Sequence, residues 1–154
     1  MKKEILNIEY CIKDLSELND SDRILIDKAI QATSKSYNKY SHFAVGAAIM
    51  MSSGNIVVGT NQENIAYPSG LCAERTALFS SRMQEGVPTI IAIAAKNEKN
   101  EIATAYPCGA CRQVMMEFQN NISQKNIKVL ILKEENKVLC LDSIEKLLPF
   151  SFDF

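Results

Sequence analysis

The sequence predicts an α/β fold, a three-layer α/β/α sandwich with a mixed sheet of about five strands, from three observations. Short apolar stretches of strand length alternate with longer stretches of helical period along the whole chain. Alternation of this kind folds as a sheet with helices packed on its faces. The 154 residues are enough for one domain with a sizeable core, and no linker, repeat or low-complexity tract interrupts them. We therefore expect residues 1–154 to form a single domain.

Taken in order, the segment from Ser21 to about Tyr37 spaces Ile24, Ala29, Ile30 and Ala32 near helical period, behind Asp20 and Ser21 as cap candidates, and predicts the first helix. "HFAVGAAIMM" at 42–51 is apolar, and "SSGN" turns it into "IVVGTN" at 56–61, which reads as a β-hairpin. Cys72 to about Gln84 carries Ala73, Ala77, Leu78 and Met83 without a breaker until "EGVP" at 85–88, a second helix. "TIIAIAAK" at 89–96 is a buried strand, followed by the solvated loop "NEKNE". Cys108 to about Asn120 sets Val114, Met115 and Phe118 on one side of a third helix. "NIKVLILK" at 126–133 is a strand, "EENK" a turn and "VLCL" a shorter strand, before a final helix from near Ser143 to Pro149. The predicted order is α, β, β, α, β, α, β, β, α.

Lysine plus arginine number 17 and aspartate plus glutamate 18, so the net charge of −1 offers no surplus to neutralise a phosphate backbone. That argues against nucleic acid as a partner. No window approaches the roughly 18 apolar residues of a membrane span. The start "MKKEILNIEY" lacks an apolar signal run, so we expect no membrane association and a cytoplasmic protein. Five cysteines, an odd number without an export signal, argue for reduced or metal-bound thiols rather than a disulfide framework.

Two short stretches carry the chemistry, each just after a strand and opening a helix, where ligands of open α/β sheets bind. In "YPCGACRQ" at 106–113, Cys108 and Cys111 are three apart, so both sulfurs of a first helical turn can share one ion. In "PSGLCAERTA" at 68–77, Cys72 supplies a third ligand. Three thiolates on zinc leave one tetrahedral position open, the mark of a catalytic rather than a structural site. A water held there has its pKa lowered to about 7. The start of a helix favours thiolate over thiol at Cys72 and Cys108. Arg75 is expected to donate hydrogen bonds to the ligating sulfurs, withdrawing charge and fixing their orientation. Glu74, two residues past Cys72, is placed to take a proton from bound water and carry it to a ring nitrogen and a leaving amine.

"CAE" at 72–74 with "PCGAC" at 107–111 matches the pattern of zinc deaminases, with cysteine in place of the first histidine. Together with "YSHFAVGAAI" at 40–49, "TNQENIAYPSGLCAERTAL" at 60–78 and "LLPFSF" at 147–152, it makes the chain resemble the small, homotetrameric cytidine deaminases over almost its whole length. The resemblance implies one zinc per subunit on Cys72, Cys108 and Cys111, with Glu74 as the proton shuttle. It further implies that Asn61 and Glu63 grip ribose hydroxyls, chemistry that an amide and a carboxylate suit. Phe43 would stack on the pyrimidine and the backbone of Ala73 read the base edge. Tyr67 and Phe152 resemble residues that a neighbouring subunit contributes. Ala44 stands where many members carry proline.

Other uses of these residues are less dramatic. Phe43 could be core, and the terminal "FSFDF" could pack the last helix, although so much apolar surface favours a subunit contact. His42, the only histidine, reads as structural, and Cys11 and Cys140 as small hydrophobes. The reading is hydrolysis of cytidine, and of deoxycytidine, to the uridine product and ammonia in pyrimidine salvage. Its rivals are a deaminase of a modified or antibiotic aminopyrimidine nucleoside, a polynucleotide deaminase lacking a basic groove, and a noncatalytic zinc module with four protein ligands.

Overall fold

In a computed structural model that describes residues 1–152, the strands form one mixed sheet of seven strands rather than about five. These are β1 (Cys11–Asp14), β2 (Ala44–Met51), β3 (Ile56–Thr60), β4 (Pro88–Lys96), β5 (Ile102–Ala103), β6 (Lys128–Leu132) and β7 (Lys137–Leu141). Their order is β1-β7-β6-β4-β2-β3, with β5 added beside the end of β4. Every pair is antiparallel except β4 and β6, which are joined through a helix and run parallel. The two strands beyond the predicted five are β1 and β5. All four residues of β1 are exposed, so no alternation of burial marks it, and β5 is only two residues long.

Three α-helices cover the sheet: α1 (Asp20–Ala32), α2 (Ala73–Ser81) and α3 (Gly109–Glu117). Strand alternation divides the core in two. On one face Ala48, Ala92, Ala94, Leu130 and Leu132 meet Leu25, Ile26 and Ala29 of α1. On the other, Ala47, Ile49, Ile91, Ile93, Val129 and Ile131 meet Ala77 and Leu78 of α2 and Met115 of α3. The sandwich thus has the three layers the sequence predicts. Two glycines set the spacing. A Cβ on Gly46 would lie 2.1 Å from the Ala29 carbonyl of α1, and one on Gly59 would lie 2.4 Å from the Ala77 nitrogen of α2. Close seating of α2 on β3 is what brings its first turn to the end of the sheet.

Several predicted boundaries move. The first helix ends at Ala32 and tightens into a 3-10 turn at Thr33–Lys35, so it does not reach Tyr37. The second stops at Ser81, and the chain then turns through Gly86 at φ 84°, a left-handed conformation that glycine adopts freely. The third passes into a π-helical turn, Phe118–Ser123. The final helix is a single 3-10 turn, Ile144–Leu147, whose Ser143 hydroxyl accepts from the Glu145 N–H at 3.3 Å. Asp153 and Phe154 of the terminal "FSFDF" lie outside the described residues.

Candidate active site

Cys72 and Cys108 occupy equivalent positions, each the residue immediately before a helix, α2 and α3 respectively. Because both helices start at the same end of the sheet, 36 residues of sequence separation close to a sulfur–sulfur distance of 3.9 Å. Cys111, on the first turn of α3, brings its sulfur to 3.5 Å from Cys108. All three sulfurs lie within 4.8 Å of one another, and no other group of this kind occurs among the described residues. Three sulfurs at about 2.3 Å from a tetrahedral zinc stand about 3.8 Å apart, so the cluster is close to the dimensions of a zinc site. Cys111 is wholly buried behind it, whereas Cys72 and Cys108 reach a cavity of about 570 Å³.

The surroundings favour thiolate at Cys72. Its thiol is pulled down to about 5, first by the neighbouring Cys111 thiol and then by Arg75 and Cys108, against the effect of burial. The Cys72 sulfur, helped by burial, in turn pushes the Cys111 thiol up. Arg75 Nη2 donates to Cys72 Sγ at 3.6 Å, while its buried Nε has no oxygen or nitrogen partner. Arg112, the other arginine that follows a ligand, is used differently. Its Nε donates to the Pro107 carbonyl at 2.8 Å and its Nη1 to the Leu147 carbonyl at 2.9 Å, tying the start of α3 to the C-terminal segment.

Glu74 is 4 % exposed and lines the cavity beside Cys72 and Cys108. Burial pushes its carboxyl up, the Cys72 thiolate adds to this, and Arg75 opposes it. A carboxyl raised in this way is suited to give a proton as well as to take one.

The far end of the cavity is built by the loop before β2 and the segment after β3. Asn61 Oδ1 accepts from Ser36 Oγ at 2.5 Å and from the Val45 N–H at 2.8 Å, and its Nδ2 donates to the Phe43 carbonyl at 2.9 Å. One N–H of the amide remains for a ligand. Glu63 Oε2 accepts from the Tyr40 and Ser41 N–H groups at 2.7 and 3.2 Å. Burial works against its ionisation, but these donors outweigh burial and hold the carboxyl below its usual range. A carboxylate with about four lone-pair sites keeps acceptors for a diol.

Of the residues singled out from the sequence, Phe43, Asn61, Glu63, Tyr67, Cys72, Ala73, Glu74, Arg75 and Cys108 all line this one cavity. Phe43 sits one residue ahead of β2, half-buried at the cavity wall rather than in the core. Tyr67 lines the cavity of its own chain, its ring edge-on to Tyr40 at 6.0 Å. Phe152 lies outside the cavity and is held by Gln113, which accepts from its N–H at 3.2 Å and donates to its carbonyl at 2.8 Å. His42, at φ 53°, is apart from the cluster. The wall also includes Tyr40, Ser41, Leu71 and Tyr106, to which the sequence reading assigns no role although each lies within one of the quoted stretches.

Comparison with known proteins agrees with this geometry. Residues 19–126 match the family model described as the cytidine and deoxycytidylate deaminase zinc-binding region. The chain is 46 % identical over 96 residues to a cytidine deaminase of Halalkalibacterium halodurans, covering 62 % of this chain and 70 % of that protein. It is 28 % identical over 152 residues to a cytidine deaminase of Mycoplasma genitalium, covering 96 % and 91 % respectively. Among solved structures, the cytidine deaminase from Burkholderia pseudomallei superposes with a TM-score of 0.73 at 34 % identity, covering 88 % of this chain and all of that one.

Proposed function

The chain belongs to the family of the cytidine and deoxycytidylate deaminase zinc-binding region, and from that premise we propose how its cavity works. It is a zinc-dependent cytidine deaminase, an enzyme that exchanges the ring amine of cytidine for oxygen and yields uridine and ammonia. One zinc per subunit fits Cys72, Cys108 and Cys111. When bound, the metal would supply a Lewis acid able to lower the pKa of a water to about 7.

The remaining work belongs to side chains of this chain. Glu74 takes one proton from the attacking water and delivers it to the ring nitrogen beside the amine-bearing carbon, then takes the second proton of that oxygen and hands it to the amine, which leaves as ammonia while the carbonyl forms. Asn61 offers its spare N–H and Glu63 its remaining lone pairs to the ribose hydroxyls, which fixes the distance from the sugar to the cysteine cluster. Phe43 stacks on the pyrimidine, and the Ala73 backbone, at the open first turn of α2, reads the base edge. Arg75 orients the sulfurs. Deoxycytidine is a second substrate, and the reaction serves pyrimidine salvage in the cytoplasm. Residues 1–154 act as one domain.

Four chains assemble, with sites shared between subunits. This reading is supported by Tyr67 at the cavity wall and by Ile65, Phe150 and Phe152, all more than two-thirds exposed in the single chain, which association would cover. No helix among the described residues is long and apolar enough to cross a membrane.

The observation that carries this reading is a buried carboxyl that shares one cavity with two sulfurs of a three-sulfur cluster close to zinc dimensions. Glu74→Gln should keep stoichiometric zinc while kcat for cytidine falls by roughly 10²–10⁴ or more. A zinc-loaded Glu74→Gln protein of near-normal kcat overturns the assignment.

A further inference from the structure

Two of the five cysteines take no part in the zinc cluster, and the sheet sets them face to face. β1 and β7 pair so that Cys11 lies directly opposite Cys140. Directly opposed residues of an antiparallel pair project from the same face, with Cα atoms about 4.5 or 5.5 Å apart according to the kind of pair they form. Both spacings fall within the roughly 4.4–6.8 Å that a disulfide spans. The two side chains line one cleft at the edge of the sheet, and neither lines the cavity that holds Glu74. Both are free thiols, Cys11 exposed and Cys140 buried against the core under α1.

We propose that Cys11 and Cys140 form a redox modification site, oxidised by a small-molecule disulfide to a cross-strand bond that staples β1 to the sheet. The Cys11 thiolate attacks one sulfur of the oxidant, whose S–S bond breaks, releasing one small thiol and leaving a mixed disulfide on Cys11. Cys140 then gives up its proton and attacks Cys11 Sγ, expelling the second small thiol. The protein loses two hydrogens and the oxidant gains them. The order follows from access: burial pushes the Cys140 thiol up, with Lys128 and Lys13 pulling the other way, so the exposed Cys11 reacts first.

The staple has a structural consequence. β1 is the edge of the sheet, held through four residue pairs to β7 alone. A bond there joins residues 11 and 140 across most of the chain, and closing so long a loop restricts the unfolded state strongly. Oxidation therefore raises thermal stability without touching the zinc ligands.

The zinc-loaded protein is incubated with glutathione disulfide and digested without reduction for mass spectrometry. The expected result is a linked Cys11–Cys140 peptide, two thiols lost per chain, and an upward Tm shift that dithiothreitol reverses. Cys140→Ser should stop at glutathione on Cys11 with no rise in Tm. Cys11→Ser, at an exposed position, should fold normally and form neither product. Retention of all five thiols, a lasting glutathione adduct on wild-type Cys11, or a Cys11–Cys11 link between chains each overturns the proposal.

Discussion

Helices α1 and α2 pack on opposite faces of the same sheet and begin in opposite ways. At α1 the Asn19 side chain accepts from the Asp22 N–H at 2.8 Å, a satisfied cap that favours folding. At α2, and again at α3, the corresponding residue is a cysteine whose side chain accepts no capping bond from the backbone of its own helix. Those sulfurs turn instead toward each other, 3.9 Å apart. Giving up a cap costs on the order of 1 kcal/mol per helix. In exchange, two positive helix ends face a cluster that must carry negative charge. One end of the sheet is thus shaped for a ligand, while the start of α1 is shaped for stability.

The contrast can be broken most severely at α3. Cys108→Ser should lose stoichiometric zinc and lower kcat/KM for cytidine by at least about 10³, because the cluster and the water it activates go together. Metal analysis and steady-state rates check this, and a chelator should bring the wild type to the same state. A smaller effect is expected at Arg75. Arg75→Ala should weaken zinc affinity roughly 10–100-fold in competition with a chromophoric chelator, since it removes the donor to Cys72 and not a ligand. The smallest change sharpens the comparison from the other side. Asn19→Ala should cost about 1 kcal/mol, a Tm drop of roughly 2–4 °C, and leave kcat for cytidine unaltered.

What was legible in the sequence follows the same division. The ligands, Glu74 and Arg75 sit within two short stretches whose residue types have few other joint uses, and helix starts place them without further information. The hairpin and the central strands were equally plain, because β-branched and alanine-rich runs are buried on both faces. β1 was not visible, since it is exposed along its length and its partner lies more than a hundred residues away. For the same reason the expectation of a small hydrophobe suits buried Cys140 and not exposed Cys11. The loop that holds Glu63 through the Tyr40 and Ser41 N–H groups is equally invisible in sequence, because backbone donors reaching across 23 and 22 residues leave no pattern in side-chain types.

The central claim is that three sulfurs hold the metal and a fourth position stays open beside Glu74. X-ray absorption at the zinc edge of the purified enzyme measures this directly. The account predicts three sulfurs at about 2.3 Å and one oxygen at about 2.0 Å, the oxygen shell changing when a cytidine analogue binds. A fourth sulfur or an imidazole nitrogen in the shell, unchanged by the analogue, would contradict it.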